Sequence, residues 1–147
     1  MAINKTAQAV FDKAMYLIDA QNESTGSTNT ADTTEYRVRA VGILNNLIDV
    51  VYPASDTYVV TEAGKRPVLD DIVSLEDELN LDARILRDVL PNGLAAKLLS
   101  EENPTLANYF QQCFEENLYA AKNSIPGVFE SIETDFGGIE HGCYGRW

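Results

Sequence analysis

Residues 86–119, LRDVLPNGLAAKLLSEENPTLANYFQQCFEENLY, decide the fold of this chain. Leucine and valine recur at helical spacing before Asn103-Pro104, and apolar and aromatic side chains recur at helical spacing after it. Asparagine is a preferred N-cap, and proline is preferred in the first helical turn. We therefore predict one helix before Asn103 and a second that begins at Pro104 and runs to about residue 123.

The helix before Asn103 should begin near Asp82. Pro91 and Gly93 interrupt its pattern, and Pro91 either kinks a continuous helix or occupies the first position of a new one. The small residues Gly93, Ala95 and Ala96 would let another backbone approach closely. The predicted buried face consists of apolar residues at helical spacing: Ile85, Leu86, Val89, Leu90, Leu94, Leu98 and Leu99.

Two further helices are predicted in the N-terminal third. Apolar residues at helical spacing indicate the first over residues 5–20, with Asn4 as N-cap. The second should span residues 34–52, with Asp32 as its cap and Glu35 in capping-box register. The Ser-, Thr- and Asn-rich residues 21–34 between them lack apolar anchors and predict a mobile loop.

Residues 55–69, which we name the arm, have a different pattern. Tyr58, Val59 and Val60 favour β-structure, and residues 63–67 are typical of a turn, so a short β-hairpin or an extended arm is predicted.

Two groups of charged residues are interpreted as solvated. We interpret Arg37 and Arg39, near the start of the second helix, as a solvated face with local ion pairs. The acidic residues at 70–82 lack the ligand order of a calcium loop and predict a solvated connector.

Composition limits the function further. The chain has 147 residues, of which 45% are hydrophobic, and this suits a single domain with a modest core. The formal net charge is −12, which disfavours wrapping of DNA or RNA because phosphate neutralisation needs clustered Lys and Arg. No apolar run is long enough for a membrane span, and the N-terminus lacks the hydrophobic core of a secretory signal. We expect no membrane association.

No pattern in the chain predicts catalysis, a metal site or a cofactor. His141 and Cys143 form a His-x-Cys pair, but a structural zinc site needs four ligands and the chain has no second pair. A Cys–His nucleophile also needs a fixed geometry, which residues two apart in a glycine-rich segment do not provide. Cys113 falls in a helical apolar pattern and is interpreted as a small buried side chain. The enzyme class is therefore disfavoured.

The C-terminal residues 126–147 contain many glycines, no helical period and several large apolar side chains. Such groups are seldom left in water, and Trp, Tyr and Arg are the residues that most often anchor interfaces. We predict a helical domain over residues 1–125 and an extended docking tail over residues 126–147. The predicted partner-binding residues of the tail are Phe136, Ile139, Tyr144, Arg146 and Trp147. The predicted fold is mainly α: about four helices in a small bundle, with the arm in the middle.

Three segments, in order, resemble the head-to-tail connector (adaptor) proteins of tailed bacteriophages and prophages. The first is TEYRVRAVGILNNLIDVVYP, residues 34–53, an Arg-bearing helix that ends on Tyr-Pro. The second is LPNGLAAKLLSEENPTLANYFQQCFEENL, residues 90–118, and the third is FGGIEHGCYGRW, residues 136–147. The Ser/Thr-rich loop at residues 21–34 departs from the pattern, and the chain lacks a marked basic cluster for DNA contact.

The resemblance implies a structural protein of the virion neck, assembled in the host cytoplasm. In that family small helical subunits form a ring, commonly of about twelve copies, beneath the portal protein of the filled capsid. Such rings extend the DNA channel used in packaging and ejection, help retain the DNA, and present a surface to the next neck or tail protein. DNA would pass without specific binding. A terminus often reaches into the portal, which fits the aromatic tail of this chain.

Two alternatives stay open. The first is a tail-completion or tail-terminator protein of the same particle. The second is a cytosolic helical regulator or a small enzyme whose site has no recognisable motif.

Overall fold

The computed structural model describes residues 2–20 and 23–124 and contains four α-helices in them. These are α1 (Ala7–Leu17), α2 (Thr34–Val51), α3 (Leu90–Leu98) and α4 (Pro104–Asn123). A 3-10 turn at Tyr52–Ala54 follows α2, and a π-helical turn at Ile85–Val89 leads into α3. The prediction of a mainly α fold with about four helices is confirmed.

α3 is the central helix and packs against α1, α2 and α4. Leu90, Leu94 and Leu98 are completely buried, because their spacing places them on one face within the surrounding helices. The close approach predicted at Gly93 comes from side chains, since a Cβ there would lie 2.8 Å from the Phe114 ring and 3.3 Å from Leu47. Gly93 thus lets α2 and α4 pack on the same part of α3.

Pro91 lies in the first turn of α3, directly after the π-helical turn. Proline cannot donate a backbone hydrogen bond, and its ring crowds the preceding turn of a regular helix. The wider π-helical turn accommodates this, and the amide of Leu90 bonds to the carbonyl of Ile85. The carbonyl of Asp88 accepts bonds from two side-chain amides, Asn92 at 2.7 Å and Asn117 at 3.0 Å. The proline therefore starts a new helical segment within a continuous helical path.

The helix caps follow the predictions at α4 but not at α1. Asn103 caps α4 by accepting a bond from the amide of Leu106 at 3.1 Å, as predicted. The N-cap of α1 is Thr6, whose hydroxyl accepts from Ala9 at 3.3 Å. Asn4, the predicted cap, instead accepts from the amide and the hydroxyl of Thr6. α1 is also shorter than predicted at both ends.

Polar anchors hold the segment before α2. Thr33 is the N-cap residue in place of the predicted Asp32, and no side chain caps the helix. The Thr33 hydroxyl is completely buried and donates to the carbonyl of Thr28 at 2.6 Å. Thr28 in turn donates to the carboxylate of Asp12 on α1 at 2.6 Å. Hydrogen bonds of Thr28 and Thr33 thus hold the described part of the loop in place of apolar contacts.

The hairpin alternative for the arm is wrong. The part of the chain that the structure describes contains no β-strand, only an isolated antiparallel bridge between Thr6 and Glu78. A turn does form near Gly64, which has the left-handed φ of +79°. The residues on either side do not pair, because two short strands without a third strand or a covering helix are only marginally stable in water. The arm is irregular along its length.

The connector after the arm is less solvated than predicted. Its acidic side chains are mostly exposed, but Leu75, Leu79 and Leu81 are buried in the core. The carbonyls of Leu75 and Asp77 accept bonds from the first amides of α1, at 2.6 and 2.9 Å. These amides have no partner within their own helix, so the connector satisfies the start of α1.

Candidate interaction surfaces

The five predicted docking residues of the tail lie outside the described residues, as do His141 and Cys143. The partner-binding assignment therefore stays a prediction. In residues 2–20 and 23–124, no group of three or more His, Cys, Asp or Glu side chains is placed to hold a metal ion. No helix in this part of the chain is long and apolar enough to cross a membrane. The described surfaces that remain are those of the arm and the helices.

Tyr52, at the end of α2, positions the beginning of the arm. Its hydroxyl donates to the carbonyl of Thr57 at 3.3 Å and accepts from the amide of Val59 at 3.2 Å. Its ring packs edge-on against Tyr58, with the ring centroids 5.1 Å apart. The Tyr-Pro sequence that ends α2 thus also holds the first residues of the arm.

Asp82 ties the same end of the arm to the π-helical turn. Its carboxylate accepts from the amides of Arg84 at 2.9 Å and Ile85 at 3.0 Å, as an N-cap side chain does. Its other oxygen accepts from the amide of Asp56 at 3.1 Å, and its own amide donates to the Ser55 hydroxyl at 3.0 Å. One aspartate therefore caps a helix and anchors the arm.

The chain is tied down again just after the arm. The side-chain amide of Asn45 on α2 donates to the carbonyl of Ile72 at 3.0 Å and accepts from its amide at 2.9 Å. The carboxylate of Asp77 then accepts from the amides of Ser74 and Val73 at 2.9 and 2.7 Å. These bonds, first that from Ser74, lower the pKa of Asp77. The arm is a loop fixed at both ends.

Between these anchors the arm exposes apolar side chains. Val59 is 57% exposed, Val60 64% and Val68 72%, although valines are usually buried. Beside them lies a groove of about 410 Å³ between the arm and the end of α2. The groove is lined by Asp49, Pro53, Tyr58, Arg66, Pro67 and Val68. This surface combines exposed apolar side chains with charged ones, as a contact site does.

A second exposed surface lies on α4, opposite its buried stripe. Tyr109 is 59% exposed and Tyr119 is 72% exposed. Exposed Glu115 and Glu116 lie between them along the helix. We define the outer face of α4 as the surface formed by Tyr109, Gln112, Glu115, Glu116 and Tyr119. Each glutamate accepts a bond from a glutamine one turn earlier, so its carboxylate is held in place but open to water.

Arg37 has a different environment from the predicted solvated ion pair. Its guanidinium donates to the side chain of Gln8 at 2.7 Å and lies 5.3 Å from the centroid of the Phe11 ring. Arg39 does form the predicted local pair, with Glu35 at 3.9 Å. Arg37 thus joins α2 to α1 by a hydrogen bond and a cation–π contact, which sequence spacing alone could not show.

Tyr36 links α2 to the turn before α4. Its hydroxyl donates to the carboxylate of Glu102. Partial burial, and after it this hydrogen bond, raise the pKa of Tyr36 to about 12, because both disfavour the phenolate. The tyrosine is neutral at physiological pH and acts as a structural donor.

Comparisons of the chain with protein-family models, with curated proteins and with solved structures find no match.

Proposed function

We propose that this protein is a structural subunit of a bacteriophage neck that forms a ring beneath the portal, extends the DNA channel and joins head to tail. The observation that carries the proposal is the order of three segments that resemble head-to-tail connector proteins, residues 34–53, 90–118 and 136–147. The assignment includes no catalytic step, no metal and no cofactor.

The packing of the first two segments supports the proposal. Residues 34–53 form α2 and its Tyr-Pro end, and residues 90–118 form α3 and most of α4. Both segments meet at Gly93, where Leu47 and Phe114 lie close together. The residues that carry the resemblance in these two segments therefore pack together in one core and are not scattered over the surface.

The charge of the chain also fits a channel subunit. With a net charge of −12, the protein repels DNA on average, so packaged DNA would pass without being held by phosphate contacts. The exposed valines of the arm and tyrosines of α4 provide the contact surface that a multisubunit ring needs. The partners we propose are other copies of the chain, the portal protein and the next neck or tail protein.

The tail provides the sharpest test of the portal contact. A variant lacking residues 137–147 should keep its helical circular dichroism and its thermal unfolding midpoint but no longer co-purify with the portal protein of the same genome. Tyr16→Ala is the control, because Tyr16 is an exposed aromatic residue on α1 and belongs to neither the arm nor α4. This variant should bind the portal as the wild type does.

Three results would count against the proposal. If the truncated protein still binds the portal, the tail is not the docking segment. Cross-linking of the full chain to the tail-tube protein, with none to the portal, would favour the tail-completion alternative. A gene neighbourhood without portal, terminase and capsid genes would favour a cytosolic regulator.

A further inference from the structure

The arm and the outer face of α4 have complementary chemistry. The arm has two adjacent cations, Lys65 and Arg66, beside exposed valines. The outer face of α4 has two adjacent carboxylates, Glu115 and Glu116, between two exposed tyrosines. In a chain with a net charge of −12, Lys65 and Arg66 are the only two adjacent basic residues.

Within one molecule the two surfaces do not satisfy each other. Lys65 forms a 2.6 Å pair with Glu62 of the arm itself, exposed to water, and such pairs contribute little to stability. Glu115 and Glu116 accept bonds only from glutamines of their own helix among the described contacts. The arm is anchored to the 3-10 turn at Tyr52–Ala54 and to residues 80–82, and α4 packs against α3, the π-helical turn and this same 3-10 turn.

We propose that the arm of one copy docks on the outer face of α4 of a second copy. Lys65 and Arg66 would meet Glu115 and Glu116, and the valines of the arm would cover the rings of Tyr109 and Tyr119. The tyrosines are ten residues apart, or about 15 Å along the helix axis, and the two glutamates lie between them. A cationic turn with apolar flanks matches this order of aromatic, acidic and aromatic groups.

The contact is heterologous, because the arm of one copy meets a different surface of the next. A heterologous contact leaves one free arm and one free α4 face at the ends of a chain of copies, and a ring closes when these meet. The inference rests on the proposed neck ring for the closure. The contact between two copies can be tested without any other virion protein.

A charge swap tests the contact directly. K65E/R66E and E115K/E116K should each weaken self-association by about tenfold or more, because each places like charges against each other. Mixing the two variants, or combining all four substitutions in one chain, should restore association. Sedimentation velocity over a range of protein concentrations measures this, and thermal unfolding verifies that the exposed substitutions leave the fold intact.

The matched control is R87E/K97E, which reverses one exposed Arg and one exposed Lys outside both surfaces. It should associate as the wild type does. A second test places single cysteines in a C113S/C143S background. A mixture of V60C and Q112C should form a disulfide-linked heterodimer under mild oxidation, while V60C with K97C should not.

Three results would overturn the inference: a wild-type chain that is monomeric at every concentration, charge-reversed variants that associate normally, or no recovery in the combined variant. The neck assignment is tested separately by portal binding. If the charge-swap variants behave as wild type while the full chain still binds the portal, the inference fails and the proposed function stands. If self-association follows the charge swap but the portal is not bound, the proposed function fails and the contact stands.

Discussion

α3 and the arm are held in place by different forces. α3 is surrounded by the other helices, and its leucines are completely removed from water. The arm is fixed by hydrogen bonds near its ends, at Tyr52 and Asn45, while its valines stay exposed. Apolar burial contributes most of the stability of a small domain, whereas substitutions in an exposed segment change the free energy of unfolding little. α3 therefore determines the fold, and the arm is available for contacts.

The largest expected difference is between Leu94→Ala and Val68→Ala. Leu94 is completely buried, so Leu94→Ala removes apolar contacts, leaves a cavity and should lower the free energy of unfolding by about 2–5 kcal/mol. Val68 is 72% exposed, and Val68→Ala should change it by less than about 0.5 kcal/mol. Urea unfolding followed by circular dichroism measures both. Equal losses for the two variants would show that the arm is part of the core.

Gly93→Ala tests whether close packing on α3 outweighs helix propensity. Alanine favours a helix over glycine by about 1 kcal/mol, but the new Cβ would lie 2.8 Å from the Phe114 ring. We expect the steric cost to dominate, with a net loss of about 1–3 kcal/mol in urea unfolding.

Gly42→Ala in α2 is the matched control for that substitution. A Cβ at Gly42 would meet nothing within 4 Å, so Gly42→Ala should stabilise the protein by about 0.5–1 kcal/mol. If both variants were stabilised, Phe114 would be free to move away and Gly93 would not be required by the packing.

Asn45→Ala removes both side-chain bonds that hold Ile72, just after the arm. We expect a loss of about 1–2 kcal/mol in the free energy of unfolding, since two half-buried backbone groups lose their partner. Hydrogen exchange at the Ile72 amide should accelerate as well. Asn46→Ala is the control, because Asn46 is exposed and forms none of the described side-chain hydrogen bonds. Unchanged exchange at Ile72 would contradict the role of Asn45 as an anchor.

The smallest effect should be the pH dependence contributed by Asp77. Bonds from the amides of Ser74 and Val73 lower its pKa in the folded state below the ordinary 3.8. Its contribution to stability is therefore present above the ordinary pKa and is lost as the pH falls through the lowered one. Asp77→Asn should reduce the fall in the thermal unfolding midpoint between about pH 5 and pH 2. An unchanged slope would show that this exposed carboxylate does not stabilise the connector.

Features that depend on neighbours in the sequence were predicted best. The break at Asn103-Pro104 and the cap of α4 are as predicted, because an N-cap bond joins residues three apart. The caps predicted for α1 and α2 were wrong. Thr6 and Thr33, which lie near the predicted residues, are also of a type that N-caps prefer, so the sequence could not choose between them. On α2, Val38 is exposed whereas Ala40 is completely buried.

The candidate surfaces were predicted only in part. The β-forming residues of the arm were recognised, but whether they pair depends on a partner strand that no local pattern can supply. The outer face of α4 was missed as a surface, because tyrosines at helical spacing are as typical of a core as of an interface. The exposure of Tyr109 and Tyr119 next to Glu115 and Glu116 was the missing signal.

By itself, the sequence determined the helical class, the bounds of α4 and the acidic character of the chain, because periodicity, capping and charge are local properties. Only the tertiary structure decided that Asp82 anchors the arm, that Arg37 lies over Phe11 and that Gly93 receives the Phe114 ring. Each of these contacts joins residues at least twenty apart, so it exists only after the helices have packed.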